Sequence, residues 1–153
     1  MTKKILTLLI VLVAAISIAS VCAADLTKEQ DFNGLFKMKV DGSDNFTSID
    51  VGNNFSSLLQ SRIAYKNANE TIFVFFYEND LNDAVMYASD GNITQFEALN
   101  GVGTFNFTDQ MTQSLDGKAS VGVAKMSDDQ SKTVLLGGTN ETLLKEYADT
   151  ITF

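Results

Sequence analysis

The chain has no histidine, no proline, no tryptophan and a single cysteine, Cys22, in 153 residues. Without histidine there is no imidazole to serve as a base or a metal ligand, which excludes a Ser-His-Asp triad and every histidine-containing metal site. A lone cysteine excludes an intrachain disulfide and any cysteine cluster. Other nucleophile arrangements are missing as well: no serine has a lysine three residues later, and no Gly-x-Ser-x-Gly occurs. Basic residues are few, 11 against 19 acidic ones, and Arg62 is the only arginine. Such a chain repels phosphate backbones and anionic lipid surfaces, so nucleic acid is excluded as an expected partner. The lack of tryptophan is a poor start for stacking on sugars.

What is present begins with a leader. Lys3 and Lys4 form a basic head, Ile5 to Ala19 is an apolar run, and Ser20 to Ala24 is small-residue-rich before Asp25. This order is that of a secretory signal peptide, residues 1–24, with cleavage after Ala23 or Ala24. Two alternatives stand beside it. Ile5 to Ala24 could remain uncut as a membrane anchor. Cys22 could carry a lipid, although Val21 occupies the place where a lipid-attachment motif has a smaller residue. All three readings put residues 25–153 outside the membrane as one extracytoplasmic domain, secreted or surface-anchored. Loss of the leader removes two lysines and Cys22, leaving nine basic and 19 acidic residues, a net charge of −10 and no thiol. Packing alone must then hold the fold, which a domain of this size can do.

Alternation with period two dominates the body. Strands are expected at Phe36–Val40 and Phe46–Val51, with Asp41 to Asp44 as a turn. Arg62–Lys66 and Thr71–Glu78 form a hairpin around Asn67-Ala68-Asn69. Further strands are expected at Ala84–Ala88 and Thr104–Thr108. Lys118–Met126 and Lys132–Leu136 make a second hairpin around Ser127 to Gln130. Helical turns are expected at Phe55–Gln60 and Thr94–Asn100. A C-terminal helix is capped by Thr139 or Asn140, with Leu143, Leu144, Tyr147 and Ala148 on its apolar face, and Thr150–Phe153 closes the chain as a short strand. The small residues Ser120, Gly122 and Ala124 are expected to receive that helix. Ile72-Phe73-Val74-Phe75-Phe76-Tyr77 is apolar on both faces, so it belongs in the middle of a sheet with cover. The expected fold is α+β: one mostly antiparallel sheet covered by two or three short helices.

Asn-x-Ser/Thr triplets occur at Asn45, Asn54, Asn69, Asn92, Asn106 and Asn140. With 12 asparagines and 22 serines and threonines in residues 25–153, chance supplies about two such triplets. The excess points to N-glycosylation; the plainer reading is that these residues supply turns and caps, which suits Asn54 and Asn140. Phe105 and Phe107 alternate with Asn106 and Thr108, placing Asn106 on the solvent side. A sugar on Asn69 would guard the aggregation-prone strand that follows it.

No catalytic, cofactor-binding or metal-binding residue can be named. Gly101-Val102-Gly103 continues to Asn106 where a dinucleotide loop wants a third glycine, and Gly137-Gly138-Thr139, lacking the Gly-Lys-Ser/Thr of a P-loop, reads as a plain turn. Acids gather at Glu78, Asp80 and Asp83, at Asp128 and Asp129, and at Asp41 and Asp44; none of these fits an EF-hand.

The leader KKILTLLIVLVAAISIASVCAAD, the recurring Asn-x-Thr triplets and the acidic, proline-free body resemble small secreted proteins of methanogenic archaea. The ending KTVLLGGTNETLLKEYADTITF is similar, over 22 residues, to the strand–helix–strand close of the PsbP/Mog1-like fold. Neither resemblance implies a functional residue. The expected function is a non-enzymatic binding or interaction domain at the cell surface, with a protein or carbohydrate partner, no cofactor, and membrane contact only through residues 5–24 if they stay uncut. The alternatives are a small secreted hydrolase using a carboxylate pair and a Ca²⁺-dependent binding module.

Overall fold

A computed structural model of the chain describes residues 24–50, 61, 63–78 and 102–153. The leader up to residue 23, the helical turns expected at Phe55–Gln60 and Thr94–Asn100, the strand at Ala84–Ala88, and the positions Arg62, Asp80, Asp83, Asn54 and Asn92 lie outside the described residues.

The described chain runs β1 (Leu26–Phe32), β2 (Phe36–Asp41), β3 (Phe46–Ile49), β4 (Ile63–Asn67), β5 (Ile72–Glu78), β6 (Val102–Asn106), α1 (Asp109–Ser114), β7 (Val121–Met126), β8 (Lys132–Gly138) and α2 (Glu141–Asp149). Six strands form one sheet in the order β3-β4-β5-β8-β7-β6, and β1 and β2 form a separate hairpin. Every pairing within these sheets is antiparallel. The expected α+β class is therefore found.

Strand β5 sits inside the sheet, between β4 and β8, and Ile72 to Tyr77 are each 5% exposed or less. Its alternation divides the core in two. Ile72, Val74 and Phe76 join Val123, Val134 and Leu136 beneath the β1–β2 hairpin and α2. Phe73, Phe75 and Tyr77 join Ala64, Ala124 and Leu135 beneath Phe105, Phe107, Met111, Leu115 and Ala119. The expected cover is thus present on both faces, and each buried large side chain contributes roughly 1.5–3 kcal/mol.

The hairpin covers its face with aromatics. Phe32 and Phe36 stack at 4.6 Å, Phe36 stacks on Phe76 at 5.8 Å, and Tyr65 meets Phe32 edge-on at 5.0 Å. Strand β1 was not expected, because Leu26 and Phe32 are its only apolar residues. It is held by its ladder to β2 and by the ion pair of Lys37 with Glu29 at 3.1 Å. Asn33 and Gly34 turn this hairpin with φ of 57° and 69°, the left-handed values that Asn-Gly adopts with least strain.

Helix α2 starts at its expected cap: Asn140 Oδ1 accepts from the Leu143 N–H at 3.2 Å. It buries Leu144, Tyr147 and Ala148. Its resting place corrects the expectation. Leu144, Tyr147 and Ala148 pack on the Val123, Val134 and Leu136 face, not on Gly122 and Ala124. The space over Gly122 is taken by phenylalanine rings: a Cβ there would lie 2.6 Å from Phe105 Cζ and 2.7 Å from Phe107 Cε1. Gly137 and Gly138 are likewise strand residues rather than a turn. Gly137, opposite Gly122 in the ladder, extends the seat of Phe107, and Gly138 admits Leu144. The terminal strand reduces to one bridge, with Lys37 and Thr152 exchanging N–H···O bonds of 2.8 and 2.9 Å. Helix α1, also not expected, is capped by Thr108 Oγ1, which accepts from the Met111 N–H at 3.0 Å, and buries Met111.

Because Phe107 is wedged against two glycines, Gly122→Ala has no free volume to fill. It is expected to destabilise the fold by about 1–3 kcal/mol, read as a lower urea midpoint. An unchanged or higher midpoint contradicts this packing.

Candidate functional site

Among the described residues, a dense polar arrangement lies at the turn between β4 and β5. Asn67 is 2% exposed, and its amide is fully used. Its Oδ1 accepts from the N–H groups of Thr71 and Ile72 at 2.8 and 3.0 Å, and its Nδ2 donates to Thr71 Oγ1 at 2.9 Å and to Asp44 Oδ1 at 3.2 Å. Aspartate could not make both donor bonds, so the position needs an amide. Asp44 carries the network onward: Tyr147 donates its hydroxyl to Asp44 Oδ2 at 2.6 Å and accepts from the Asp41 N–H at 3.3 Å. One buried amide and one phenol therefore join the β2–β3 turn, the β4–β5 turn and α2. Burial, then the bond to Asp44, pushes the Tyr147 hydroxyl above the usual phenol range.

Glu70 occupies the same turn at φ 54°, a left-handed conformation that costs a side-chain-bearing residue roughly 1–2 kcal/mol. Two lysines hold its carboxylate: Lys66 from β4 on one oxygen and Lys118, from the segment before β7, on the other. Its carboxyl is drawn down to about 2, first by the bond from Lys118 and next by that from Lys66; Glu70 in turn raises Lys118. Beside this triad lies a depression of about 110 Å³ whose apolar lining is Ile49, Phe73 and Leu115. A second depression, about 140 Å³, lies at the β1–β2 tip between Leu35, Phe36, Lys37 and the 40% exposed Phe153. Both are well below the roughly 300–1,000 Å³ of small-molecule sites.

The acids singled out in the sequence fall in separate places. Asp128 and Asp129 sit in the β7–β8 turn, where Asp129 accepts from the Ser127 hydroxyl at 2.6 Å and from Ser131; these bonds, Ser127 first, draw its carboxyl down to about 2. Asp41 accepts from the Ser43 hydroxyl and N–H, which lower its pKa. Glu78 ends β5 opposite Lys132. Among the described residues no three acids converge as a metal site. Of the triplet asparagines, Asn45, Asn69, Asn106 and Asn140 are described and all four are exposed. Phe105 and Phe107 are buried in one cluster while Asn106 faces solvent, as the alternation predicts.

The lysine clamp on Glu70 and the Asp44–Tyr147 bond escaped the sequence reading. Lys118 is 48 residues from Glu70 and Tyr147 is 103 from Asp44; Lys66 is four residues from Glu70 but sits on a strand, where that spacing signals no contact. Comparison with protein families, curated proteins and solved structures finds no match to this chain.

Glu70 has a folded-state pKa below its unfolded value, so the unfolded chain binds the proton more readily. Its contribution is complete above about pH 4.5 and is lost as pH falls toward about 2. Urea unfolding from pH 6 to 2 is expected to show a shallower acid limb in Glu70→Gln than in the parent chain. Parallel limbs contradict the clamp.

Proposed function

We propose that residues 25–153 are an extracytoplasmic, non-enzymatic interaction domain that engages a protein or carbohydrate partner at the cell surface through its exterior. The basic head, apolar run and small-residue close of the leader support export. The observation that carries the non-enzymatic reading is how the carboxylates singled out above are held, each in a separate turn: Glu70 by Lys66 and Lys118, Asp129 by Ser127 and Ser131, and Asp41 by Ser43. Glu70, Asp129 and Asp41 are all lowered, by lysines or by turn hydroxyls and N–H groups. A carboxylate-pair hydrolase needs one carboxyl raised, so that it still holds a proton to donate near neutral pH. In this domain the held acids are committed to turns, and the apolar interior is filled from both sides.

Carbon-13 NMR titration of the side-chain carboxyls tests this. Glu70 and Asp129 are expected to titrate near 2. A carboxyl with a midpoint at or above about 6 would supply the missing general acid and overturn the reading in favour of the hydrolase.

A further inference from the structure

The sheet register collects the four described triplets at one place. Phe46 pairs with Asn67, Ile72 with Gly138, Gly138 with Val121, and Val121 with Asn106. These residues form the last row of the six-stranded sheet at one end. Asn45 precedes Phe46, Asn69 lies in the turn from Asn67 to Ile72, Asn140 follows Gly138 by two residues, and Asn106 is itself in the row. Four acceptor asparagines, from strands or turns separated by up to 95 positions in the chain, thus stand at one pole. The opposite pole is where β3 and β5 end and where β4 and β6 begin.

We propose that this pole is an N-glycosylated cap, with oligosaccharide on Asn45, Asn69, Asn106 and Asn140. The proposal rests on the extracytoplasmic reading above, since the transfer takes place outside the cytoplasm. In each transfer the side-chain Nδ2 forms a bond to C1 of a sugar carried on a lipid phosphate. The C1–O bond to the phosphate breaks, the lipid phosphate leaves, and Nδ2 gives up one proton to the transferase or solvent.

Exposure separates these asparagines from their neighbour. Asn67, two residues from Asn69, is buried with both amide atoms bonded, and it is not in a triplet. At Asn140 the helix cap uses Oδ1, so sugar on Nδ2 leaves the cap in place. At Asn106 the triplet hydroxyl of Thr108 caps α1, which places that transfer before α1 closes. A hydrated sugar layer there would cover the turn that leads into β5 and, until β3 and β8 have paired with the β4–β5 hairpin, keep that hairpin from pairing with other chains. Partner contact would then fall on the flanks and the opposite pole.

The test is glycopeptide mass mapping of the full chain recovered from outside cells that carry an oligosaccharyltransferase, with a known glycoprotein exported alongside as control. Sugar on at least three of the four asparagines is expected. Asn45→Gln, Asn69→Gln, Asn106→Gln and Thr142→Ala should each remove one oligosaccharide mass wherever the mapping finds that position occupied; Thr142→Ala is chosen because it keeps the Asn140 cap, and Asn106→Gln because it keeps Thr108. An exported chain with sugar on fewer than three of the four, beside a glycosylated control, overturns the cap and leaves the export reading intact. A chain found only inside the cells overturns the export reading and the cap together.

Discussion

Six consecutive apolar side chains in one strand leave that strand no face for water. From Ile72 to Tyr77 both sides of β5 must be covered, and the remaining elements are placed accordingly. The aromatic hairpin and α2 close one side, and the segment from Phe105 to Ala119 closes the other. Neighbouring strands supply the hydrogen bonds, with β4 and β8 pairing along its length. With no disulfide available, this two-sided burial is the main source of cohesion, and the glycines opposite Phe107 let the second cover approach closely.

The polar groups at the β4–β5 turn complete that arrangement. A turn entering so apolar a strand must satisfy its own N–H groups in a nearly dry place, and Asn67 does this with one amide. The same amide reaches Asp44, which Tyr147 holds from α2, so the two turns and the covering helix are locked to one another. Glu70, strained in the left-handed region, is steadied by lysines from β4 and from the segment that leads into β7. The charges of Glu70, Lys66 and Lys118 in this way hold the turn into β5.

Much of the fold was legible because its signals are local. The period-two alternation marks β2 and β7, the unbroken apolar run marks β5, the 3.6-residue spacing of Leu144, Tyr147 and Ala148 marks α2, and Asn140 marks its start. Strand β1 hid because Lys28, Glu29, Gln30 and Asp31 carry no apolar pattern; only the Asn33-Gly34 pair announces its hairpin. The face chosen by α2 was not legible, because Gly122 invites any bulky neighbour and Phe105 and Phe107 are closer in the chain than the helix. Gly137 and Gly138 read as a turn when judged by residue type alone, yet they are strand positions where another side chain needs room. The candidate site was the least legible part. Lys118 and Glu70, like Tyr147 and Asp44, meet only through the sheet order, while the asparagine triplets are plain in the sequence and gain their shared pole only through the register.

The most direct measurement of the central claim is native-state hydrogen exchange along β5. If two-sided burial holds the domain together, the amides of Ile72 to Tyr77 exchange only when the whole domain unfolds, with a free energy equal to that from denaturant titration and above that of the solvent-facing strand β1. Exchange of these amides through local opening, at or below the free energy measured for β1, would contradict it.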